Sequence, residues 1–323
     1  MNKNLKKEFF TVIIDVYFGL NYFKVSLNSI LKQTYKKFEI VIINNGATKE
    51  ISDYIQKVSK ENPQVKVLNY QNNIYEKFDT EKRFDICFND ALKVSNCEYI
   101  YYQAYDDFIS NDYLKKMANL LKKDECITAS GLLISVDEEG KTKDNINERK
   151  ISNARSKYIN GGSITIDNFF NKFSFIYCSN ILHFAFKREA LNKVGGFHRS
   201  IEQLIYFFIL PQGSSGYDET AVFFYRNHSN QANLINLNRG VLGVKDSLDL
   251  LRSNKYLFDD IWDKFPKNVI YRAIGRKKLF DKFEEIFIKL IAQRLIESLY
   301  SLNFKAMKNI IKVYKKENFY FYI

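Results

Sequence analysis

Three apolar runs, each closed abruptly by polar residues, constrain this chain more than any other feature. The first is FFTVIIDV, Phe9 to Val16. The second is FEIVII at Phe38 to Ile43, which stops at Asn44-Asn45-Gly46, a strong turn signal. The third, Glu98 to Gln103, ends directly at Ala104-Tyr105-Asp106-Asp107. Runs of this kind suit strands buried inside a parallel sheet, and Val65 to Leu68 reads as a shorter one. Between them, Phe23, Leu27, Ile30 and Leu31 recur at helical spacing, and Phe84, Cys87, Phe88, Ala91 and Leu92 form a second helical face. The alternation predicts an α/β fold: a mostly parallel sheet flanked by helices. Such sheets bind ligands outside the carboxyl ends of their strands. Asp15 to Phe18, Asn44 to Gly46 and Ala104 to Asp107 all fall there, so they define one crevice.

The remainder is less regular. Asp137 to Ser163 is polar and reads as a surface excursion. Phe169 to Phe186 returns to buried character, and Gly195-Gly196-Phe197 reads as a turn. A helix is expected over Ile201 to Leu210, a glycine-rich turn over Gln212 to Gly216, and a strand over Ala221 to Tyr225. From about Leu234 onward the pattern is helical. The expected organisation is a domain over 1–235, in two halves at 1–110 and 111–235. A helical region over 236–323 follows.

The 323 residues carry a formal charge of +12, a field that attracts anions. The positive charge is spread through mixed-sign sequence, with no arginine-rich run and no zinc-finger spacing, so nucleic acid has no motif behind it. Cys87, Cys97, Cys126 and Cys178 form no CxxC pair and suit free thiols in a reducing cytosol. The first ten residues lack an apolar signal-peptide core, and the longest apolar run, Leu204 to Leu210, is too short to cross a bilayer.

Asp106-Asp107 is the first candidate for chemistry. Adjacent carboxylates at a strand end are costly unless a cation or solvent balances them. Hard divalent ions such as Mn2+ and Mg2+ prefer such oxygens. The plainer alternative is a solvated turn, or a cap for the helix expected over Asp112 to Leu121.

Longer motifs favour the first account. The opening strand TVIIDVYFGLNY and the stretch LNSILKQTYKKFEIVIINNGAT resemble the inverting GT-A glycosyltransferases of family 2. The second stretch follows that family's S-I-L-x-Q-T-Y-x-x-F-E-I-I-V-V-D-D-G-S pattern nearly position by position. EKRFDICFNDALKVSNCEYIYYQAYDDFISNDYL resembles its R…N-x-A-L…G-E-Y-I…D-D block, in the form found in spore-coat polysaccharide transferases. KREALNKVGGFHRSIEQLIYFFILPQG and YRNHSNQ are similar to later family segments.

The resemblance implies roles. Asp15, Val16 and Tyr17 lie beside the nucleoside. Asn45 stands where the family has an aspartate bonding the base, and Arg83 matches an arginine approaching it. Asp106 bonds the ribose or assists the metal, and Asp107 is the main protein ligand for Mn2+ or Mg2+. His228 reaches the metal or diphosphate; its plainer alternative is a structural histidine. Glu202 is the candidate catalytic base, with Asp218 and His198 as fallbacks, or else only an acid at a helix N-terminus. The chain departs from the pattern at Asn44-Asn45, at Ala104, and at Gln203, where the family's usual base is replaced by an amide. Fewer protein oxygens for the metal imply a weak site filled with the donor diphosphate.

The implied activity is metal-dependent transfer of a sugar, with inversion, from a nucleotide-diphosphate donor. The UDP-sugar is the commonest in the family. The implied acceptor is a glycan or lipid-linked molecule in bacterial surface polysaccharide synthesis, at the cytoplasmic side. Lys305, Lys308, Lys312, Lys315 and Lys316 would give the last helix a face for anionic lipid, or simply a solvated one. Two alternatives stay open. A sugar nucleotidyltransferase would need a glycine-rich phosphate loop that VYFGLNY lacks. A degenerate nucleotide-sugar-binding protein would account for the replacements at Asn44, Ala104 and Gln203.

Overall fold

The computed structural model describes residues 5–74, 84–142, 163–164, 184–193, 195–197, 209 and 212–229. β1 (Lys6–Val16) leads into α1 (Leu20–Leu31), then β2 (Phe38–Asn45), α2 (Lys49–Glu61) and β3 (Val65–Tyr70). A π-helical turn over Phe84–Phe88 runs into α3 (Asn89–Val94) and β4 (Cys97–Ala104). β5 (Phe108–Ile109), α4 (Tyr113–Leu121) and β6 (Cys126–Val136) follow. The later described elements are β7 (Ser163–Ile164), β8 (Phe184–Lys187), α5 (Arg188–Lys193) and β9 (Ser214–Arg226).

One sheet takes in all these strands, in the order β3-β2-β1-β4-β8-β6-β9-β5, with β7 beside β9. β3, β2, β1 and β4 are mutually parallel neighbours. β8 is antiparallel to both β4 and β6, while β9 is parallel to β6. The carboxyl ends of β1, β2, β4, β6 and β9 therefore share one edge. The expected α/β sheet is borne out.

Burial explains the apolar runs. All of β2 is buried, and β1 is buried from Phe10 onward, so both faces of these strands need apolar side chains. Phe23, Leu27 and Ile30 turn one face of α1 onto the sheet. In α2, Ile51, Ile55 and Val58 do the same at helical spacing.

β9 carries an irregularity that fixes the site. Gly131 of β6 pairs with Asp218, but the next residue, Leu132, pairs with Val222. The two strands then stay in step to Val136 opposite Arg226. Such a bulge bends and re-aims a strand.

The expected turn over Gln212 to Gly216 is corrected: Ser214 to Gly216 begin β9. The glycines mark close approach. A Cβ on Gly213 would meet the Glu125 carbonyl oxygen at 2.5 Å, and one on Gly216 would meet Cys126 Sγ at 3.0 Å. Cys87, Cys97 and Cys126 are buried and in no disulfide. The expected helix at Ile201 to Leu210, apart from residue 209, lies outside the described residues, as do Cys178 and the helical region over 236–323. Among the described residues no helix is long and apolar enough to cross a membrane.

Candidate active site

Polar residues cluster where β1, β4 and β9 end. Asp15, near the end of β1, is buried and accepts a hydrogen bond from the Tyr102 hydroxyl at 2.8 Å. Asp106 and Asp107 follow β4 directly. His228 lies two residues past β9, and its Nε2 is 3.0 Å from Asp106 Oδ2.

Two elements hold the Asp106-Asp107 turn. From one side, α1 grips it through a polar stripe on an otherwise apolar face. Ser26 donates to the Ala104 carbonyl at 2.7 Å, and Ser29 Oγ accepts the Ile109 N–H at 3.3 Å. Gln33, fully buried, donates to the Ser110 carbonyl at 2.7 Å and accepts the Leu114 N–H at 2.9 Å, tying the turn to the start of α4. From the other side, the Arg226 N–H donates to Asp107 Oδ1 at 2.8 Å. The Arg226 Nε donates to the Asp106 carbonyl at 2.8 Å.

The Arg226 guanidinium lies between two rings, 5.1 Å from the Tyr22 centroid and 5.3 Å from that of Phe108. It also donates through Nη1 to the Glu138 carbonyl, and the Tyr22 hydroxyl donates to the Glu138 carboxylate. The other side of this cluster is His228, whose ring centroid is 4.8 Å from that of Tyr22. Burial, then the Glu138 bond, push the Tyr22 hydroxyl up to about 12, so it is a neutral donor.

Asp107 is the anomaly. It is 1% exposed, and its Oδ2 is buried with no hydrogen-bond partner. Burial, then the charge of Asp106, raise its carboxyl well above the usual carboxylate range. An orphaned buried carboxylate oxygen beside a second carboxylate and an imidazole is a donor set for a hard divalent cation. Among the described residues no three such side chains converge on a preformed cage, so a cation would need further oxygens from a ligand. A diphosphate supplies such oxygens.

Asn44 and Asn45 are engaged within the protein. Asn44 donates to Ser52 Oγ and Asn69 Oδ1, and its own oxygen accepts the Ala47 N–H. Asn45, fully buried, accepts the Ile74 N–H at 2.8 Å and donates to Asn73 Oδ1 at 3.1 Å. It thus shapes the segment after β3 at the crevice edge.

Asp218 is not brought to this edge. It pairs with Gly131, five residues of β6 before Val136, or roughly 17 Å at ordinary strand rise. Its carboxylate accepts the backbone N–H and hydroxyl of Thr220. Arg83, Glu202 and His198 lie outside the described residues.

Phe197, five residues before Glu202 in sequence, is anchored. Asn89 accepts the Phe197 N–H at 2.8 Å and donates to the Phe197 carbonyl at 2.6 Å. Gly196 has φ 94, and a Cβ there would meet Asn89 Oδ1 at 2.4 Å. Thus N-x-A-L and G-G-F, far apart in sequence, are two halves of one contact. Sequence reasoning missed this contact and also Tyr22, Glu138 and the α1 stripe. The stripe left a signal, Ser26 and Ser29 on the sheet side of α1 and a buried Gln33 just past its end.

The fold matches known structures. S. aureus TarS 1-349 in complex with UDP-GlcNAc superposes with a TM-score of 0.56 at 14% identity, covering 97% of this chain and 93% of that one. The Pyrobaculum calidifontis mannosyltransferase PcManGT, in complex with GDP-Man and Mn2+, gives 0.52 at 14% identity, covering 95% and 86%. The GT-A fold implied by the sequence motifs is borne out.

Among sequence relatives, an uncharacterized glycosyltransferase of Rickettsia bellii is 29% identical over 142 residues, 44% of this chain and 19% of its own length. Glycosyltransferase GlyA of Streptococcus pneumoniae is 27% identical over 128 residues, 40% of this chain and 17% of its own. The chain thus spans under a fifth of either relative's length. Residues 11–195, which run from within β1 past β4 and the Asp106-Asp107 turn, match the family described as glycosyl transferase family 2, and the chain belongs to that family.

Proposed function

We propose that this chain transfers a sugar, with inversion, from a nucleoside-diphosphate donor to an acceptor hydroxyl. The observation that carries the reading is Asp107 Oδ2, buried without a partner beside Asp106 and His228. Asp106, Asp107 and His228 would hold a divalent cation, Mn2+ or Mg2+, whose charge offsets that of a departing diphosphate. The GDP-Man and Mn2+ of PcManGT, and the UDP-GlcNAc of TarS, support a nucleotide-sugar donor.

Asp15 to Tyr17 and the Asn45–Asn73 pair flank the nucleoside, with Arg83 beside the base. Arg226 fixes both aspartates through its main chain and Nε. Glu202 takes the proton from the acceptor hydroxyl as that oxygen bonds to the anomeric carbon and the bond to the diphosphate breaks. The acceptor is a glycan or lipid-linked molecule of the cell envelope. The lysines at 305, 308, 312, 315 and 316 support a membrane-near site on the cytoplasmic face.

A thermal-shift screen of nucleoside diphosphates, each with and without Mn2+, tests the reading. A ligand that binds only the folded state raises its melting temperature, so one nucleotide should stand out and only with metal. Nucleotide binding without donor turnover, with any sugar, would instead mark a degenerate binding protein.

A further inference from the structure

Tyr22 closes the TVIIDVYFGLNY stretch and contacts His228, Arg226 and Glu138 together. It stands in the first turn of α1 (Leu20–Leu31), far in sequence from β4, β6 and β9. Its ring contacts the His228 imidazole, with centroids 4.8 Å apart and planes 34° from parallel. The same ring carries the Arg226 guanidinium at 5.1 Å. Its hydroxyl is tied to the Glu138 carboxylate, just past the end of β6, while Arg226 ties back to the Glu138 carbonyl. The His228 side chain is only 1% exposed, held between the Tyr22 ring and Asp106 Oδ2, which lies 3.0 Å from its Nε2.

We propose that Tyr22, anchored through its hydroxyl on Glu138, is a positioning residue that aims the His228 imidazole at the Asp106-Asp107 turn. The inference rests on the metal-dependent reading above. A ligating histidine is oriented by what its ring meets, and loss of such a support typically lowers metal affinity by tenfold or more. Here the support is an aromatic ring and not the usual hydrogen-bonded carboxylate.

The test is Mn2+ uptake by the full chain, followed by loss of the free-ion EPR signal, with UDP, GDP, CDP and ADP in parallel. Tyr22→Ala should weaken uptake about tenfold. Tyr22→Phe keeps the ring and removes only the Glu138 bond, and should weaken it about threefold. In a His228→Ala background, Tyr22→Ala should cost nothing further, because both changes remove one interaction. Three results overturn the proposal while leaving the parent reading intact: wild-type uptake in Tyr22→Ala, wild-type uptake in Tyr22→Phe, or an equal cost of Tyr22→Ala with and without His228. Tyr22→Phe decides the matter if Tyr22→Ala does not fold. Absence of uptake by the wild-type chain with all four nucleotides overturns both.

Discussion

The same strands carry a buried polar cluster at each end, and the two clusters are built on opposite rules. At the amino ends, Glu39 is 3% exposed and accepts from Thr11, Lys6 and Lys66. Arg188, 5% exposed, donates to the Cys97 and Leu92 carbonyls and to Thr11 and Ser95. Each buried charge there has its partners in hand. At the carboxyl ends, Asp107 lies equally deep beside a second carboxylate, with one oxygen left over. A satisfied buried charge stabilises a fold; an unsatisfied one weakens it and persists for another reason. The sheet thus has a structural end and a working end.

The comparison breaks most directly at Asp107. Asp107→Ala should lower Mn2+-dependent nucleotide affinity on the order of a hundredfold, read by calorimetry. Asp107→Asn should lose binding similarly, yet melt no lower than the wild type, since it removes a buried unpaired charge. A large loss of stability in Asp107→Asn would show that both ends are structural.

At the other end, Arg188→Met should cost about 3 kcal/mol in urea unfolding, because it removes four hydrogen bonds from a buried cluster. Nucleotide affinity of the folded fraction should not change. Glu39 should leave a pH signature. Burial raises its carboxyl, but the Lys66 bond and both lysine charges outweigh that, so the net direction is down. A depressed carboxyl stabilises above its unfolded value, and that contribution is lost as pH falls through the folded value. Stability should therefore decline below about pH 4.5, and Glu39→Gln should flatten that decline by about 1 kcal/mol. The smallest effect is expected at Ser26→Ala, which frees the Ala104 carbonyl beside the working end. It should cost about 1 kcal/mol in stability and a few-fold in metal-dependent binding.

Much of the structural end and of the parallel core was legible in sequence. β1, β2 and β4 are buried on both faces, so their apolar runs are continuous and unmistakable. α2 was less visible because most of its residues face water, although Ile51, Ile55 and Val58 kept the period. β6 mixes Thr128, Ser130 and Gly131 into its buried length, which hides a strand from a hydrophobicity reading. At the working end, Asp15, Asp106, Asp107 and His228 came from strand ends and motif order, and the structure gathers them at one edge. Tyr22 and Glu138 did not, because they act through contacts between segments over a hundred residues apart, which leave no local pattern.

The bulge in β9 has a consequence for length variation. Between Asp218 and Val222 the strand advances four residues while its partner advances one. If the strand paired one for one with no bulge, Arg226 would fall three positions beyond Val136, roughly 10 Å past the aspartates it grips. An odd shift would also exchange the two faces of the strand, putting its outward side chains inward. The three residues over 219–221 take up that slack, so a change of length confined to them leaves Arg226 opposite Val136, while a slip of the whole strand does not.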